Sequence, residues 1–526
     1  MTHSFGAIFA QGSGKVDPTR PALIHGEQTI SWGDFHRRTT SLAAHMLARG
    51  AQPGDRLAHL MRNSPAYLET TTAGFKARLV HVNINYRYTG EELFYILDNS
   101  DSSVLVFDAE FADLVEAVRP RLPNIKLYLQ VGPDANGDTR PWAEDYETTA
   151  QAGHPLAPQA HAPTDMLFIY TGGTTGMPKG VMWDQADLFV LLGGALASPE
   201  TGEPASLEDH VQTMVSGAAA RTSLVLPPLM HGTGYLIGIF TLVTGGTVVT
   251  LPGASLDGAA AARACEAHQC TFATLVGDAF GRPLLAALDA GHGSIASLMG
   301  ILSSGTMWSP EIKAGLLRHA PNAALVDALS SSEALGMGSS VQTSANAGSP
   351  TIFTPTDDNS LILDENLKPV APGETGRLAR AGLLPRGYWK DEAKTAATFP
   401  VINGVRYSVP GDFAVKNPDG SFTLMGRGSQ CINTAGEKVF PEEVEEMLKT
   451  HPKVTDALVF GLPDPQWGQA VTAVVEAPLG TDVEELRAHV RERLAGYKVP
   501  KRVVVVDRCP RAPNGKADYR TARGLV

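Results

Sequence analysis

Eleven consecutive residues, Tyr170-Thr171-Gly172-Gly173-Thr174-Thr175-Gly176-Met177-Pro178-Lys179-Gly180, hold four glycines, three threonines and a lysine directly after the apolar run MLFI. Glycines let backbone N–H groups close on an anion as a nest. Threonine hydroxyls add donors, and Lys179 adds a compact positive charge. The chemistry this composition suits is the holding of phosphate oxygens. The spacing is not G-x-x-x-x-G-K-[ST], because Lys179 follows Pro178. Gly12-Ser13-Gly14-Lys15 lacks the upstream glycine and the following hydroxyl, and reads as an N-terminal loop. With no G-x-G-x-x-G after a strand and no G-x-S-x-G elbow, dehydrogenase and serine-hydrolase chemistry lose support. Glu333 follows the strand-like ALVDAL and a serine run, where a carboxylate suits a Mg²⁺ carrying triphosphate oxygens. Taken alone, Glu333 also fits a helix-start acid, Asp412 a turn cap, His231 a core histidine and Lys516 a solvated surface lysine.

The elements that must position these residues alternate. Ser31 to Arg49 carries apolar residues at helical spacing behind a serine N-cap. DRLAHLM, VLVFD, DMLFIY, TSLVLPP, GGTVVTL and ALVDAL are apolar runs of strand length. Strands separated by helices predict an α/β body of mostly parallel sheets flanked by helices. Residues 133–163 are polar and rich in Pro, Gly and Ala, and read as a surface excursion. Near the end, NPDGSFTLMGR forms a hairpin around Asp419-Gly420, and PEEVEEMLKT a helix with Pro441 in its first turn. VTDALVFGL, AVTAVVEA, the helix DVEELRAHVRERL and KRVVVVD complete a small α+β unit. The expected domains are 1–426 and a mobile 427–526.

Composition bounds the class. Of 526 residues, 43 are Lys or Arg and 55 Asp or Glu, a formal net charge of −12 that disfavours generic nucleic-acid binding. Four cysteines are too few for a disulfide scaffold, and Cys265 and Cys270 read as core thiols. The N-terminus has neither a basic n-region nor a long apolar h-region, so a cytoplasmic protein without a signal peptide is expected. Residues 222–256 lack Asp, Glu, Lys and Arg over roughly 35 positions, long enough to span a bilayer, but prolines, glycines and His231 mark a buried core segment.

Six motifs in order carry a resemblance over nearly the whole chain. TGGTTGMPKG is similar to the phosphate-binding signature of the adenylate-forming superfamily of acyl-CoA synthetases, adenylation domains and luciferases. Pro227-Pro228-Leu229-Met230-His231-Gly232-Thr233-Gly234 resembles its substrate-side motif, and Ser331-Ser332-Glu333 its S/T-E element. Tyr407-Ser408-Val409-Pro410-Gly411-Asp412 resembles its ribose element, with Pro410 in place of threonine. Gly426-Arg427 resembles the start of its hinge, and Pro510-Arg511-Ala512-Pro513-Asn514-Gly515-Lys516 its lysine motif.

The resemblance implies roles. Thr171, Gly172, Gly173, Thr174, Thr175, Gly176 and Lys179 would hold the β- and γ-phosphates of ATP. Glu333 and Thr171 would hold Mg²⁺, and Gly305, Asp327, Ser331 and Ser332 would line the nucleotide. Asp412 would take the ribose hydroxyls, with Arg427 near the ribose and phosphates. His231 would lie beside the acyl carboxylate and the α-phosphate. Lys516 would bridge those two anions, where charge builds in the transition state. Gly436 and Lys438 would face coenzyme A. Two departures stand out: Leu329 occupies the usual aromatic position, and Ser429 the usual Asp or Lys of the hinge.

The expected function is ATP-dependent ligation of an apolar carboxylic acid, fatty or steroid-side-chain, to coenzyme A through acyl-AMP, with no nucleic-acid partner. Apolar segments after His231 and around ATLVGDAFGRPLL favour such an acid. Asp278, the one candidate for an ammonium partner, reads as a helix-start acid. The rival readings are loading of a carrier protein, a luciferase-like oxygenase and a non-catalytic nucleotide binder. Oligomeric state, a homodimer included, does not follow from the sequence.

Overall fold

The computed structural model describes residues 3–88, 90–134, 137–173, 176–194, 205–306, 308–427, 430, 432–434, 437–464, 468–492, 494, 496–512 and 515–526. Two eight-stranded sheets carry most of the chain. The first runs Ala334–Gln342, Ala324–Ser331, Gly300–Ser304, Phe272–Leu275, Thr222–Val225, Thr247–Thr250, Pro21–His25, Gln28–Ser31. The second runs Gly387–Tyr388, Gly176–Asp184, Met166–Gly173, Val80–Asn83, Arg56–Leu60, Ser102–Asp108, Leu127–Val131, Glu144–Asp145. From Val80–Asn83 outward the second sheet is parallel, and the Gly/Thr hairpin enters antiparallel at its other end. Helices between parallel strands bury apolar faces on the sheets, as the alternating pattern requires. The helix Pro65–Lys76 is buried along its whole length.

The expected helix begins at Ser31, whose hydroxyl accepts from the Asp34 N–H, and runs Trp32–Ala48. Residues 222–256 fold as a strand, the helix Gly232–Val243 and a strand in the core. No helix among the described residues is long and apolar enough to cross a membrane. Cys265 and Cys270 are buried thiols. The 133–163 stretch departs from expectation: it holds the strand Glu144–Asp145 and the helix Tyr146–Gln151. Arg38, 6 % exposed, causes this by bonding Glu69 and Glu147 at 2.6 Å each, which draws the segment onto the body.

Contact density divides the chain into two units. One is Met1–Gly336, Val341–Ser349 and Leu383–Phe399; the other is Met337–Ser340, Pro350–Gly382 and Pro400–Val526. The strands Asp412–Lys416 and Phe422–Arg427 lie in a four-stranded antiparallel sheet of the second unit, where Phe413 packs on Phe440 with ring centroids 5.5 Å apart. The helices Pro441–Lys449 and Val483–Arg491 and the strands Asp456–Asp464, Gly468–Glu476 and Arg502–Val506 appear as the sequence predicts.

Candidate active site

The Gly/Thr segment is a β-hairpin. Thr171 faces Lys179 and Gly173 faces Gly176 in its ladder. Apolar MLFI and VMW give the two arms their sheet pairing, so backbone groups on both arms bond each other. Thr174 and Thr175 lie outside the described residues. Lys179 is not an isolated cation, since its ammonium bonds the carboxylate of Asp391. That bond, seconded by the Lys394 N–H, holds the Asp391 carboxyl below its ordinary value. The other Asp391 oxygen caps the helix Glu392–Thr398 at 2.9 Å from the Lys394 nitrogen.

The hairpin is tied to the Ser331-Ser332-Glu333 turn twice. Trp183 Nε1 donates to the Ser332 carbonyl at 2.8 Å. Tyr388, paired with Val181 at the sheet edge, donates its hydroxyl to Glu333 Oε1, also at 2.8 Å. The Glu333 N–H donates to Ser331 Oγ at 3.3 Å. Glu333 is a half-buried carboxylate that offers hard oxygen donors. That set suits Mg²⁺, which takes one or two carboxylates and completes its shell with phosphate oxygens and water. Gly305 follows the strand Gly300–Ser304 at φ +95°, a turn that a side chain would strain. Asp327, opposite Ser303, is buried and bonds Lys313 at 2.8 Å.

His231 is the N-cap residue of the helix Gly232–Val243. Beyond it the helix leaves only Gly232, Thr233, Ile237 and Phe240 unburied, one stripe at helical spacing. Leu191, Leu192 and Leu335 are partly buried against the same core. The stripe is apolar and extends about 14 Å from His231 at 1.5 Å per residue. Asp278 stands in the first turn of Gly277–Asp289, accepts the Ser309 N–H at 2.8 Å and pairs with Arg282 at 3.2 Å, as a helix-start acid does. Two residues escaped the sequence reading. Asn83 bonds Tyr170 and Met230, and Asn63 bonds Pro227 and Leu229. A lone Asn in a strand-like run carries no local signal of this.

In the second unit, Asp412 and Arg427 face each other across the hairpin Asp412–Lys416/Phe422–Arg427. The register brings together the two residues expected at the ribose. Lys438 faces Asn433 in a short ladder, while Gly436 and Ser429 lie outside the described residues. Lys516 is exposed on a tight loop: its carbonyl accepts the Ala512 N–H at 2.8 Å, and Gly515 turns the chain at φ +77°. The loop is anchored by Arg511, which grips both Asp456 oxygens and donates to the Gly515 carbonyl at 3.1 Å. Burial works against the charge on Asp456, yet the Arg511 bonds hold its carboxyl below the ordinary value.

The Gly/Thr hairpin, tied to the Glu333 turn through Trp183 and Tyr388, sits in an α/β body of two large sheets. The chain belongs to the AMP-binding enzyme family: that family's profile matches residues 11–389, and the AMP-binding enzyme C-terminal domain matches 443–516. It is 38 % identical to the medium-chain acyl-CoA ligase Mig of Mycobacterium avium, over 96 % of this chain and 95 % of that one. It is also 38 % identical to the 3-oxocholest-4-en-26-oate–CoA ligase of Rhodococcus rhodochrous, covering 96 % and 93 %. In fold it is similar to the anthranilate CoA ligase AuaEII, solved with anthranoyl-AMP (TM-score 0.83, 20 % identity, 99 % and 97 % covered). A benzoate CoA ligase from Burkholderia xenovorans LB400 has a TM-score of 0.79 at 21 % identity, covering 99 % of each chain.

Proposed function

We propose that this enzyme joins an apolar carboxylic acid, of fatty or steroid-side-chain type, to coenzyme A at the expense of ATP. The observation that carries the reading is the double tie of Trp183 and Tyr388, which holds Glu333 against the Gly/Thr hairpin. In the first step a substrate carboxylate oxygen attacks the α-phosphorus, and the bond to the β-phosphate oxygen breaks. Acyl-AMP forms and pyrophosphate leaves. In the second step the thiol sulfur attacks the acyl carbon, its proton is lost and AMP departs.

The hairpin residues Thr171 to Gly176, with Lys179, hold the leaving phosphates. Asp412 takes the ribose hydroxyls beside Arg427, and Ser331, Ser332 and Gly305 border the nucleotide. His231 orients the carboxylate at the head of the apolar stripe. Lys516 offsets the charge that builds as two anions meet, then withdraws for the second step with a swivel at Arg427–Ser429. Gly436 and Lys438 serve the coenzyme A side. Glu333 and Thr171 would hold a Mg²⁺, which would supply neutralising charge to the triphosphate. The enzyme acts in the cytoplasm.

Support for an apolar acid comes from the Thr233–Ile237–Phe240 stripe and from relatives whose names specify medium-chain and steroid acids. A pyrophosphate-release assay over short, long, aromatic and steroid acids, with coenzyme A and a holo-carrier protein as competing acceptors, tests the reading. Release with apolar acids and thioester only on coenzyme A is expected. Transfer to the carrier alone overturns it. Lys516→Ala should abolish acyl-AMP formation and spare the thioester step from preformed acyl-AMP.

A further inference from the structure

We propose that Asn83 is a positioning residue for acyl-adenylate formation, its side-chain amide locking the Gly/Thr hairpin to the His231 turn. The catalytic part of this proposal rests on the ligase reading above. Asn83 ends the strand Val80–Asn83, which pairs with Met166–Gly173 through His81 opposite Leu167 and Val82 opposite Phe168. One step further the side chain takes over the ladder. Asn83 Oδ1 accepts the Tyr170 N–H at 2.7 Å, and Nδ2 donates back to the Tyr170 carbonyl at 3.0 Å. The other Nδ2 hydrogen goes to the Met230 carbonyl at 2.7 Å.

Tyr170 immediately precedes Thr171, and Met230 immediately precedes His231. A single amide therefore fixes the residue before each of two groups assigned to the reacting phosphates and carboxylate. Asn83 is 7 % exposed, Tyr170 6 % and Met230 3 %, so water does not readily replace these bonds. Asn63 does the same work after the neighbouring strand Arg56–Leu60. It donates to the Pro227 carbonyl at 3.1 Å and accepts the Leu229 N–H at 2.7 Å. Both asparagines stand at the carboxyl ends of adjacent parallel strands, the edge at which α/β sheets bind ligands. The loop they hold follows Thr222–Val225 of the other sheet, so the amides join the working edges of two sheets.

Only an amide can make this contact set. Aspartate keeps the acceptor toward Tyr170 but sets a carboxylate against two carbonyl oxygens. The test uses the full chain with Asn83→Ala and Asn83→Asp, read by hydrogen exchange and by the two half-reactions. Peptides spanning 226–236 should exchange at least about tenfold faster, with 102–131 unchanged. Adenylation kcat should fall about 30- to 100-fold, the cost of misplacing a reacting group by about 1 Å, with KM for ATP within about threefold. Thioester formation from preformed acyl-AMP should stay within about threefold.

Unchanged exchange at 226–236, adenylation within about twofold of the parent, or equal loss of both half-reactions each overturns the proposal. Should Asn83→Ala fail to fold, Asn63→Ala probes the same lock: faster exchange confined to 226–231 and a drop in adenylation of about five- to tenfold are expected, and the absence of either overturns it. If the parent enzyme adenylates no acid while exchange at 226–236 still responds, the ligase reading fails and the amide lock stands.

Discussion

Tyr388 donates its hydroxyl proton to Glu333 across 2.8 Å, from a two-residue strand 55 positions further along the chain. The bond fixes which way a half-buried carboxylate points, and Tyr388 is itself held by its pairing with Val181. Partners of this kind typically change metal affinity 10- to 100-fold when removed. Tyr388→Phe should raise the Mg²⁺ concentration for half-maximal pyrophosphate release about tenfold while costing at most about 1 kcal/mol of stability. Glu333→Gln should lower adenylation at least about 100-fold. A Mg²⁺ titration of Tyr388→Phe that overlays the parent curve would show that the phenol does not orient the metal ligand.

The Lys179–Asp391 pair has a kinetic consequence. On the proposed reading, a triphosphate would have to draw Lys179 away from a carboxylate that already holds it. Asparagine caps a helix about as well as aspartate, so Asp391→Asn keeps the cap on Glu392–Thr398 and removes only the competing charge. KM for ATP should fall about two- to fivefold, most clearly at low ionic strength, because a pair this exposed is screened by salt. Asp391→Ala, which also loses the cap, should cost about 1 kcal/mol. A rise in KM for Asp391→Asn would mean that Asp391 aims Lys179 at the nucleotide instead of competing for it.

What the sequence makes legible is whatever is written locally. Gly172, Gly173, Gly176 and Lys179 announce a phosphate contact by composition, and the strand before them by its apolar run. Asp412 and Arg427 are each readable, but their opposition across one hairpin requires a register with a bulge between Phe413 and Ala414. Asn83 sits in VNIN, a run with no turn, cap or motif signal, and its partners are 87 and 147 residues away. Tyr388 and Asp391 reach Glu333 and Lys179 from 55 and 212 residues away. Strand pairing joins Ser360–Leu363 to Thr375–Arg380 and Thr375–Arg380 to Asp412–Lys416 in the second unit, which no stretch of sequence displays. The buried Arg38 recruits a polar segment that composition assigns to the surface.

On the proposed reading, the stripe below His231 would select the acid without touching the nucleotide. Ile237 and Phe240 are partly buried against the core, and the Phe240 ring packs on Phe189 with centroids 6.2 Å apart. Ile237→Glu should raise KM for a medium-chain acid at least about tenfold, since a charge replaces apolar contact worth about 1.5–3 kcal/mol. KM for ATP should move less than twofold, while thermal stability should drop with the lost packing. Phe240→Ala should instead extend the accepted chain length by opening the far end of the stripe. Equal losses toward acetate and decanoate in Ile237→Glu would place the acyl chain elsewhere.

The second unit carries opposing pH dependences that one titration can separate. Burial pushes the Glu445 carboxyl up to about 7, against the Val459 N–H and the charges of Lys449 and Arg511. Its folded-state value exceeds its unfolded one, so the folded chain binds the extra proton between about pH 4.5 and 7. Stability therefore falls as pH rises through that window, by up to about 3 kcal/mol for a fully buried group. Asp456 acts the other way. Its carboxyl is depressed by Arg511, so its contribution is present above the unfolded value near 4 and is lost as pH falls through the folded value. Glu445→Gln should flatten the loss between pH 5 and 7.5 and leave the acid limb intact, because glutamine still accepts the Val459 N–H. Asp456→Asn should erase part of the acid limb and also slacken the Lys516 loop, because Arg511 then lacks the charge that holds it against the Gly515 carbonyl. Adenylation should fall about tenfold in Asp456→Asn, with coenzyme A transfer from preformed acyl-AMP preserved. Denaturant midpoints at four pH values, with both half-reactions, read out the two carboxylates independently. An unaltered slope in Glu445→Gln would show that its carboxyl is ionised throughout that range in the folded chain.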